Sequence, residues 1–410
     1  MDASVFVKHR QRVLEQMEDN SFLVSISRRG EEKEVEAKGD VNRNYYYLSG
    51  VIEFENIVVL TKINGTTTEM MFINPYDEFK AKWVGAPKSK EEVNAISGIK
   101  DIRYLSVYNQ VIERLLSVVT NVYIDFIPNS IDSVLTEDEA FAKKISLKYP
   151  WVQIKNARNL FMKARTIKEP EEIEEMKKAI AITNKGIQAI LSNIKECYEY
   201  QLESYFDQAI KYYGATGYAF TTIAASGKNA TCLHYSDNNC LAKNGDLILF
   251  DLGASLNMYC ADISRTFPVS GKFSPRQKQI YNIVLKGQEL VFKSIKPGIT
   301  TRELNQILIN YYAVELKKIG LIQEDSEVSK YYYHGVSHHI GINVHDLCEY
   351  TPLKPGCVIS NEPGLYILEE GIGIRIEDDV LVTENGAEWL SPQIIKTVED
   401  IEEFIENRRN

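Results

Sequence analysis

The sequence predicts an α+β protein of two domains, a smaller α/β domain over residues 1–160 followed by a larger domain over residues 161–410. Strand-like and helix-like segments alternate up to about residue 160. Beyond that point, an order of two helices followed by a β-rich segment occurs twice, with helix starts at Pro170 and Pro275. This recurrence indicates either two similar half-domains about a pseudo-two-fold axis or a coincidence of pattern.

Hydrophobic periodicity and turn residues predict the elements of the N-terminal domain. Phe6, Val13 and Leu14 fall on one face of a helix, and Asn64-Gly65 separates two β-rich runs, which is a strong hairpin signal. The predicted elements are a helix over 5–19, a short strand over 45–50, strands over 57–62 and 67–73, a helix over 107–119 and a strand over 122–126.

The C-terminal domain begins with a long helix at Pro170. Proline is tolerated in the first turn of a helix, and the acids that follow it suit the positive end of the helix dipole. Ile173, Met176 and Ile180 mark the buried face of this helix. Further helices are predicted over 200–213, from Ser274-Pro275 onward, and over 301–319.

Composition narrows the classes of function. The chain has 410 residues and a net charge of −10, and no basic patch interrupts its mixed charges, so neither nucleic acid nor a membrane surface is an expected partner. It has no apolar run of membrane-spanning length, and its N-terminus is too charged for a secretory signal, so we expect a cytoplasmic protein. The six cysteines form no CxxC pair, which argues against a zinc knuckle and favours reduced thiols.

Histidines indicate where the chemistry lies. Five of the six histidines follow the domain boundary, and four of them fall between His334 and His345. A single histidine is usually a satisfied core or surface residue. Four within so short a segment, interspersed with Gly335 and Gly341, predict a functional site.

Two pairs of acids accompany these histidines. Asp251 and Asp262 are symmetric about a proposed turn at 256–257, and Glu362 and Glu377 are symmetric about residues 369–370. In a hairpin, the members of each pair would face each other with Cβ atoms about 4.5–5.5 Å apart. Opposed carboxylates destabilise a hairpin, and a cation removes that penalty. Two such pairs and a histidine can hold two divalent ions; the alternative is that the acids are exposed strand residues.

Four features of the larger domain resemble a known family. They are the spacing of Asp251 and Asp262 and the segments HGVSHHIGINVHD (334–346), SNEPGLY (360–366) and GIRIEDD (373–379). They resemble the Xaa-Pro peptidases, aminopeptidase P and prolidase, which are pita-bread metallopeptidases. VFVKHRQRVLEQM and NYYYLSG resemble the N-terminal domain of aminopeptidase P, so the resemblance covers essentially the whole chain. It implies a C-terminal pita-bread domain, in which helices cover a curved antiparallel sheet about a pseudo-two-fold axis.

The resemblance also assigns site residues and a cofactor. It implies two divalent metal ions, with Mn²⁺ expected and Co²⁺ or Zn²⁺ as alternatives, because one histidine among carboxylates is a hard, oxygen-rich donor set. Arg375 matches an arginine that orients a ligand carboxylate, and three histidines match residues that flank the metals without ligating them, namely His234, His334 and His345. The implied ligands are Asp251, Asp262, His338, Glu362 and Glu377.

The implied function is removal of the N-terminal residue from peptides with proline at the second position, by attack of a metal-bridging hydroxide. Glu362 would carry the proton from the water to the proline nitrogen, and His345 or His234 would stabilise the oxyanion. Tyr366 and His334 would line the pocket for the proline ring. A homodimer or homotetramer is the expected assembly.

Other functions of the same fold are alternatives. An Xaa-Pro dipeptidase (prolidase) shares the ligands, but the N-terminal stretch and Ser337 favour the aminopeptidase. A non-catalytic pita-bread binding protein, or a metal-free enzyme such as creatinase, would not be expected to keep five ligand-type residues, because unpaired buried carboxylates are costly without an ion. Methionine aminopeptidase shares the ligands but usually lacks an N-terminal domain of this kind.

Overall fold

A computed structural model describes residues 1–27, 41–126, 130 and 132–409. The chain divides into two compact units, Met1–Arg165 and Thr166–Asn410.

The first unit contains a mixed sheet with helices. Within the described residues, its strands lie in the order β4-β3-β2-β1-β5-β6, with parallel pairing at β3–β4, β1–β5 and β5–β6 and antiparallel pairing elsewhere. The elements are α1 (Ala3–Gln16), β1 (Ser21–Ile26), α2 (Arg43–Ser49), β2 (Ile57–Ile63), β3 (Thr66–Ile73), α3 (Glu78–Val84), α4 (Lys90–Ser97), β4 (Asp101–Tyr104), α5 (Tyr108–Leu116), β5 (Asn121–Ile124), α6 (Glu137–Lys148), β6 (Gln153–Asn156) and α7 (Arg158–Thr166).

The predicted hairpin of this unit is confirmed. β2 and β3 pair with Ile63 opposite Thr66, and the two residues between them, Asn64 and Gly65, have φ angles of 50° and 72°. Positive φ at both central positions is what a tight hairpin turn requires, and asparagine and glycine adopt it most readily.

The predicted strand over residues 45–50 is wrong, because this segment belongs to helix α2. The side chain of Asn42 accepts hydrogen bonds from the backbone N–H groups of Asn44 and Tyr45, which caps the helix, and Gly50 ends it with a φ of 68°. Tyr45, Tyr46 and Tyr47 are all buried, so the apolar run carries no periodicity that separates a helix from a strand. The cap was the informative signal.

The second unit repeats one order of elements. A helix pair is followed by antiparallel strands twice, and the helices begin at Pro170 and Pro275 as predicted. The elements are α8 (Pro170–Asn193), β7 (Cys197–Tyr198), α9 (Glu199–Tyr212), β8 (Gly217–Tyr218), β9 (Ile223–Ser226), β10 (Leu241–Ala242), β11 (Leu247–Leu252), β12 (Ala254–Leu256), β13 (Tyr259–Cys260), β14 (Ile263–Pro268), α10 (Pro275–Ser294), α11 (Thr301–Lys318), β15 (Val358–Asn361), β16 (Gly364–Ile367), β17 (Ile372–Arg375), β18 (Asp378–Thr383), β19 (Gly386–Trp389) and α12 (Val398–Arg409).

Antiparallel strands carry most of the chemistry of this unit. β11 lies between β14 and β9, β18 lies between β15 and β19, and β16 and β17 form a hairpin. Strands β11, β14, β16 and β17 are almost entirely buried. Side chains that project from their ends are therefore held on rigid supports.

Candidate metal centre and active site

The first acidic pair lies in a different register from the one predicted. Asp251 of β11 pairs with Ser264 of β14, and Asp262 lies just before that strand. The turn is centred on Asn257 and Met258, with φ angles of 48° and 69°, one residue later than predicted. The two aspartates are therefore diagonal neighbours rather than direct partners.

The second acidic pair lies in the predicted register. The last pair of the β16–β17 hairpin is Gly364 with Arg375, and the backbone N–H of Ile376 still donates to the carbonyl of Pro363. Glu362 and Glu377 follow at the next position. Gly371, at φ 62°, is the left-handed residue of the turn. The symmetry of the sequence about this turn was therefore a correct guide.

The nine residues predicted as metal ligands or catalytic groups line one cavity of about 350 Å³ within the second unit, whereas Tyr366, predicted to line the proline pocket, is buried and is not among its lining residues. Its remaining walls come from Phe220, Thr221, Ile223, Leu233, Ser236 and Val344. The predicted residues in the lining are Asp251, Asp262, His338, Glu362, Glu377, His234, His334, His345 and Arg375. Segments far apart in sequence thus converge on a single concave site.

Three side chains in the cavity have the arrangement of a metal centre. One donor atom from each of Asp262, His338 and Glu377 lies within 4.8 Å of the others. The Nε2 atom of His338 is 3.4 Å from Asp262 Oδ2 and 3.4 Å from Glu362 Oε1. Four of the five expected ligands are therefore in contact or nearly so. The fifth, Asp251, lies in the same cavity.

The carboxylates of this cluster have raised pKa values because they are buried close to one another. Burial raises the pKa of Asp262 to about 6, and the nearby charge of Asp251 adds to the shift. Burial also raises the pKa of Glu362 to about 7, against the attraction of His338 and Arg375. The pKa of Glu377 lies well above its usual range because of burial and the charges of Asp262 and Glu362. Without cations nearby, these acids keep their protons to a higher pH than ordinary carboxyl groups do.

The residues fit a divalent metal centre. The Oδ1 atom of Asp251 is buried and, among the described residues, has no hydrogen-bond partner. The pKa of His338 rises to about 9, because its contacts with Asp262 and Glu362 outweigh the lowering effect of burial. In the metal-free protein, a proton on His338 offsets part of the negative charge that divalent cations would neutralise. An oxygen-rich donor set with one imidazole suits hard ions.

Two serines that the sequence analysis missed hold the acids in place. Ser264 Oγ donates to Glu377 Oε2 at 2.7 Å and accepts from Arg375 Nε at 2.8 Å. Ser360 Oγ donates to Glu362 Oε1 at 3.1 Å and accepts from the backbone N–H of His338 at 2.9 Å. Each serine lies two residues from an acid, on the same strand face. Strand periodicity could have identified both.

Arg375 connects an acid of the cluster to the buried hydroxyl of Tyr366. Its Nη2 atom donates to Asp251 Oδ2 at 2.6 Å, and its Nη1 atom donates to the hydroxyl of Tyr366 at 3.1 Å. The Nε2 atom of His334 lies 2.9 Å from the same hydroxyl. Arg375 thus fixes a carboxylate on one side, and on the other it shares with His334 the hydroxyl of Tyr366.

The histidines around the cluster are in states suited to donating or accepting a proton. Burial, followed by the charge of Arg375, lowers the pKa of His334 to about 4. The ring of His345 lies edge to face with that of His338 at 4.2 Å, and burial and the charge of His338 lower the pKa of His345. Both imidazoles are therefore neutral at neutral pH. A neutral imidazole carries one N–H donor and one acceptor nitrogen.

Two family models match the chain. Metallopeptidase family M24 matches residues 174–384, and the N-terminal domain of aminopeptidase P matches residues 6–123. Among characterised relatives, the Xaa-Pro aminopeptidase of Escherichia coli K12 is 30% identical over 97% of this chain and 96% of its own length. That of Haemophilus influenzae is also 30% identical, over 98% of this chain and 96% of its own length.

Solved structures show the same fold over the full length. A Bacillus anthracis protein assigned provisionally as an aminopeptidase P is 44% identical, with a TM-score of 0.96 over 100% of this chain and 99% of that chain. Aminopeptidase P of E. coli with the inhibitor Pro-Leu is 28% identical, with a TM-score of 0.91 over the same shares of the two chains. The expected pita-bread domain with a preceding α/β domain is therefore confirmed.

No helix in the described part of the chain is long and apolar enough to cross a membrane. Family models for both parts of the chain, and relatives aligned over almost its whole length, agree on one assignment. The chain belongs to metallopeptidase family M24, a family of hydrolases, and carries the N-terminal domain of the aminopeptidases P.

Proposed function

We propose that this protein is an Xaa-Pro aminopeptidase, which hydrolyses the bond between the first residue of a peptide and a proline at the second position. The observation that carries this proposal is the convergence of both acidic pairs and His338 on one cavity, beside three further histidines. Relatives named Xaa-Pro aminopeptidase align with nearly the whole chain, which supports the same substrate class.

Five residues would hold two divalent ions, with Mn²⁺ proposed as the native metal. They are Asp251, Asp262, His338, Glu362 and Glu377. When bound, the ions would supply a hydroxide at neutral pH and polarise the carbonyl of the scissile bond. Ser264, Ser360 and Arg375 orient three of these carboxylates, so the donor set is held in place before an ion arrives.

Glu362 is the group that we assign to proton transfer. Its Oε1 atom is held by Ser360 Oγ at 3.1 Å, and a carboxylate fixed in the cavity in this way can accept a proton at one step and return it at the next. The Nδ1 atom of His334 lies 3.7 Å from Glu362 Oε2 and gives this carboxylate a polar neighbour. The proton would pass from Glu362 to the nitrogen of the departing proline.

His345 or His234 would stabilise the oxyanion. Both line the cavity, and the lowered pKa of His345 keeps it neutral with one N–H to donate. A preorganised donor of this kind is worth on the order of 10²–10³-fold in rate.

The wall of the cavity suits a proline ring. Phe220, Ile223 and Leu233 provide apolar surface, and the lining residue His334 is held from behind the lining by a hydrogen bond of 2.9 Å to the hydroxyl of Tyr366. A proline at the second position of a peptide has no backbone N–H, so its ring can pack against this apolar surface without leaving a donor unsatisfied.

The test is hydrolysis by purified protein reconstituted with Mn²⁺. An Xaa-Pro dipeptide, an Xaa-Pro-Xaa tripeptide and a longer peptide should be compared with matched peptides that carry alanine in place of proline. We expect the highest kcat/KM for the longer proline peptides. Cleavage of the dipeptide alone would make the protein a prolidase, and absence of cleavage with two bound ions would favour a binding protein.

We also propose a homodimer or homotetramer in the cytoplasm. Support comes from the resemblance to the Xaa-Pro peptidases, and light scattering and cell fractionation test these two points separately. Metal identity is tested by elemental analysis of protein purified without added metal, where recovery of zinc alone would replace Mn²⁺ in the proposal.

A further inference from the structure

One buried acid outside the cavity holds a segment that forms part of the cavity wall. Glu199, the first residue of α9, is completely buried. Its Oε1 atom accepts from the backbone N–H and the hydroxyl of Ser226, each at 2.7 Å, and from Asn229 Nδ2 at 3.0 Å. Its Oε2 atom accepts from the hydroxyl of Tyr235 at 2.8 Å and the backbone N–H of Cys240 at 2.9 Å.

These five donors all come from residues 226–240. Ser226 and Cys240 are the two ends of this segment, and Asn229 and Tyr235 lie between them. One carboxylate therefore closes the segment 226–240 into a loop. The backbone N–H of Glu199 also donates to the carbonyl of Cys240 at 2.9 Å. Both the side chain and the main chain of one residue therefore bind the loop.

The same segment provides three residues of the cavity lining, Leu233, His234 and Ser236. Tyr235, which lies between them in sequence, is not in the lining and donates to Glu199 instead. Successive residues thus point in different directions, one towards the carboxylate and its neighbours towards the cavity. The direction of His234 is therefore coupled to the contact made by Tyr235.

The arrangement requires a carboxylate. Five donors can be satisfied by two carboxylate oxygens, and hydrogen bonds to a charged acceptor are about twice as strong as neutral ones. An amide of the same size presents an N–H₂ group in place of one oxygen. That group would face N–H and O–H donors and leave at least two of them without an acceptor.

We propose that Glu199 is a positioning residue for His234, which it orients through Tyr235 and the closed segment 226–240. This inference rests on the proposed function, in which His234 faces the substrate. The side chain of Glu199 accepts its five hydrogen bonds from residues outside the cavity lining. Its effect on catalysis therefore passes through the loop.

The first experiment substitutes Glu199→Gln and compares kcat, KM, metal content and thermal stability in Mn²⁺-loaded protein. We expect kcat/KM on an Xaa-Pro-Xaa peptide to fall about tenfold, the loss that corresponds to one charge-assisted hydrogen bond, with two ions still bound. In a His234→Ala background, the same substitution should have an effect of less than about twofold, because the residue through which it acts is absent. An undiminished effect in that background, or loss of metal, would overturn the proposal.

A second readout does not depend on activity. The measurement is NMR of Zn²⁺-loaded protein with labelled histidine rings, in which the His234 resonance is identified by its absence in His234→Ala. We expect Glu199→Gln to shift the His234 resonance and to leave the resonance of His9, in the first unit, unchanged. An unmoved His234 resonance would contradict the proposal even if activity fell. If the wild-type protein cleaves no proline peptide, the proposed function fails, whereas this measurement still decides the positioning role.

Two further variants serve as controls. The first is Glu203→Gln, at a residue one turn further along the same helix. Asn238 Nδ2 donates to Glu203 Oε2 at 2.9 Å, and the amide oxygen of glutamine can still accept that hydrogen bond. We expect its kcat/KM to stay within about twofold of wild type. If Glu199→Gln does not fold, Tyr235→Phe removes a single donor, and we expect a loss of about threefold and a smaller shift of His234. A wild-type resonance and rate in Tyr235→Phe would overturn the proposal.

Discussion

Glu377 and Asp378 are adjacent in sequence and equally buried, yet their surroundings are opposite. Glu377 is 2% exposed and Asp378 is 1% exposed. The pKa of Glu377 is raised by burial and by the charges of Asp262 and Glu362. Burial alone would also raise the pKa of Asp378, but Arg265 and Lys396 hold it below its usual range. Burial is therefore not what distinguishes the two acids.

The difference lies in their partners. Asp378 accepts hydrogen bonds from Arg265 Nη2 at 2.7 Å, Lys396 Nζ at 2.9 Å, Ser391 Oγ at 2.6 Å and Gln288 Nε2 at 3.0 Å. Glu377 accepts from Ser264 Oγ and lies near the charges of Asp262, Glu362 and Asp251, whose raising effect on its pKa outweighs the lowering effect of Arg375. The charge of a buried carboxylate that contacts cationic side chains is already balanced within the protein. One that faces other carboxylates is where a bound cation contributes most.

The largest expected effect is on Glu377→Gln, which removes one charge from the acidic cluster and preserves its size. We expect kcat/KM to fall on the order of 10³–10⁴-fold, because the metal ions supply several kcal/mol of stabilisation to the transition state. Elemental analysis should show a loss of bound metal. Glu388→Gln, on a half-exposed glutamate of β19, is the matched control. Two bound ions with near-normal turnover would contradict the role of Glu377.

The next effect is on stability. Asp378→Asn leaves Arg265 buried without its carboxylate, so we expect the free energy of unfolding of metal-free protein to fall by about 3 kcal/mol. Urea denaturation measures it. Glu377→Gln should not destabilise the metal-free protein, because burial and the neighbouring acids already disfavour ionisation of this carboxyl and a neutral amide has the same size. Equal losses of stability in the two variants would remove the distinction drawn between the adjacent acids.

A smaller effect is expected at His345, which lies against His338 without belonging to the expected ligands. His345→Ala should lower kcat on the order of 10²-fold, as the loss of one oxyanion donor does, with metal content retained. Steady-state kinetics and elemental analysis check the two parts. Loss of metal in this variant would mean that His345 is a ligand.

The smallest expected effect is the pH dependence of the metal-free protein. Asp262 and Glu362, with pKa values raised to about 6 and 7, bind more protons when folded than when unfolded. Their contribution to stability is thus lost as pH rises from about 4 through 7, and His338, with a pKa of about 9, extends the loss from about 6.5 to 9. We expect the Tm after chelation to fall by roughly 5 °C between pH 5.5 and 8.5, measured by scanning calorimetry.

Added Mn²⁺ should raise the Tm more at pH 8.5 than at pH 5.5, because the ions replace protons that are absent at the higher pH. Glu377→Gln, which relieves the repulsion, should show a shallower pH dependence than wild type without metal. A Tm of metal-free wild type that rises across this range would show that the acidic cluster does not carry raised pKa values.

Local patterns predicted a large part of this protein. The starts of α8 and α10 at prolines, the Asn64-Gly65 hairpin and the register of Glu362 with Glu377 all follow from residues close in sequence. Each depends on a backbone preference that a few neighbouring residues decide. The motifs around the histidines likewise placed nine candidate residues that the fold brings to one cavity.

Local patterns led to wrong predictions where the contact that decides the structure has only a weak signal in the sequence. Helix α2 depended on a cap at Asn42 hidden beside a uniformly apolar run. The register of Asp251 depended on a turn with a positive φ at Met258, which the residue type does not favour, and on Gly253, where a Cβ atom would overlap with the carbonyl of Ala261. The cap is a single residue beside an apolar run, and the residue type at position 258 gives no signal for a positive φ.

The sequence by itself determined the fold class, the positions of the acids and histidines, and the family to which they belong. Only the tertiary structure decided which buried acids have cationic partners and which do not. Arg265 reaches Asp378 across more than a hundred residues, and Glu199 gathers donors from the whole of segment 226–240. Such pairings depend on how distant segments pack, and the free energy of a buried charge depends on those neighbours rather than on its own residue type.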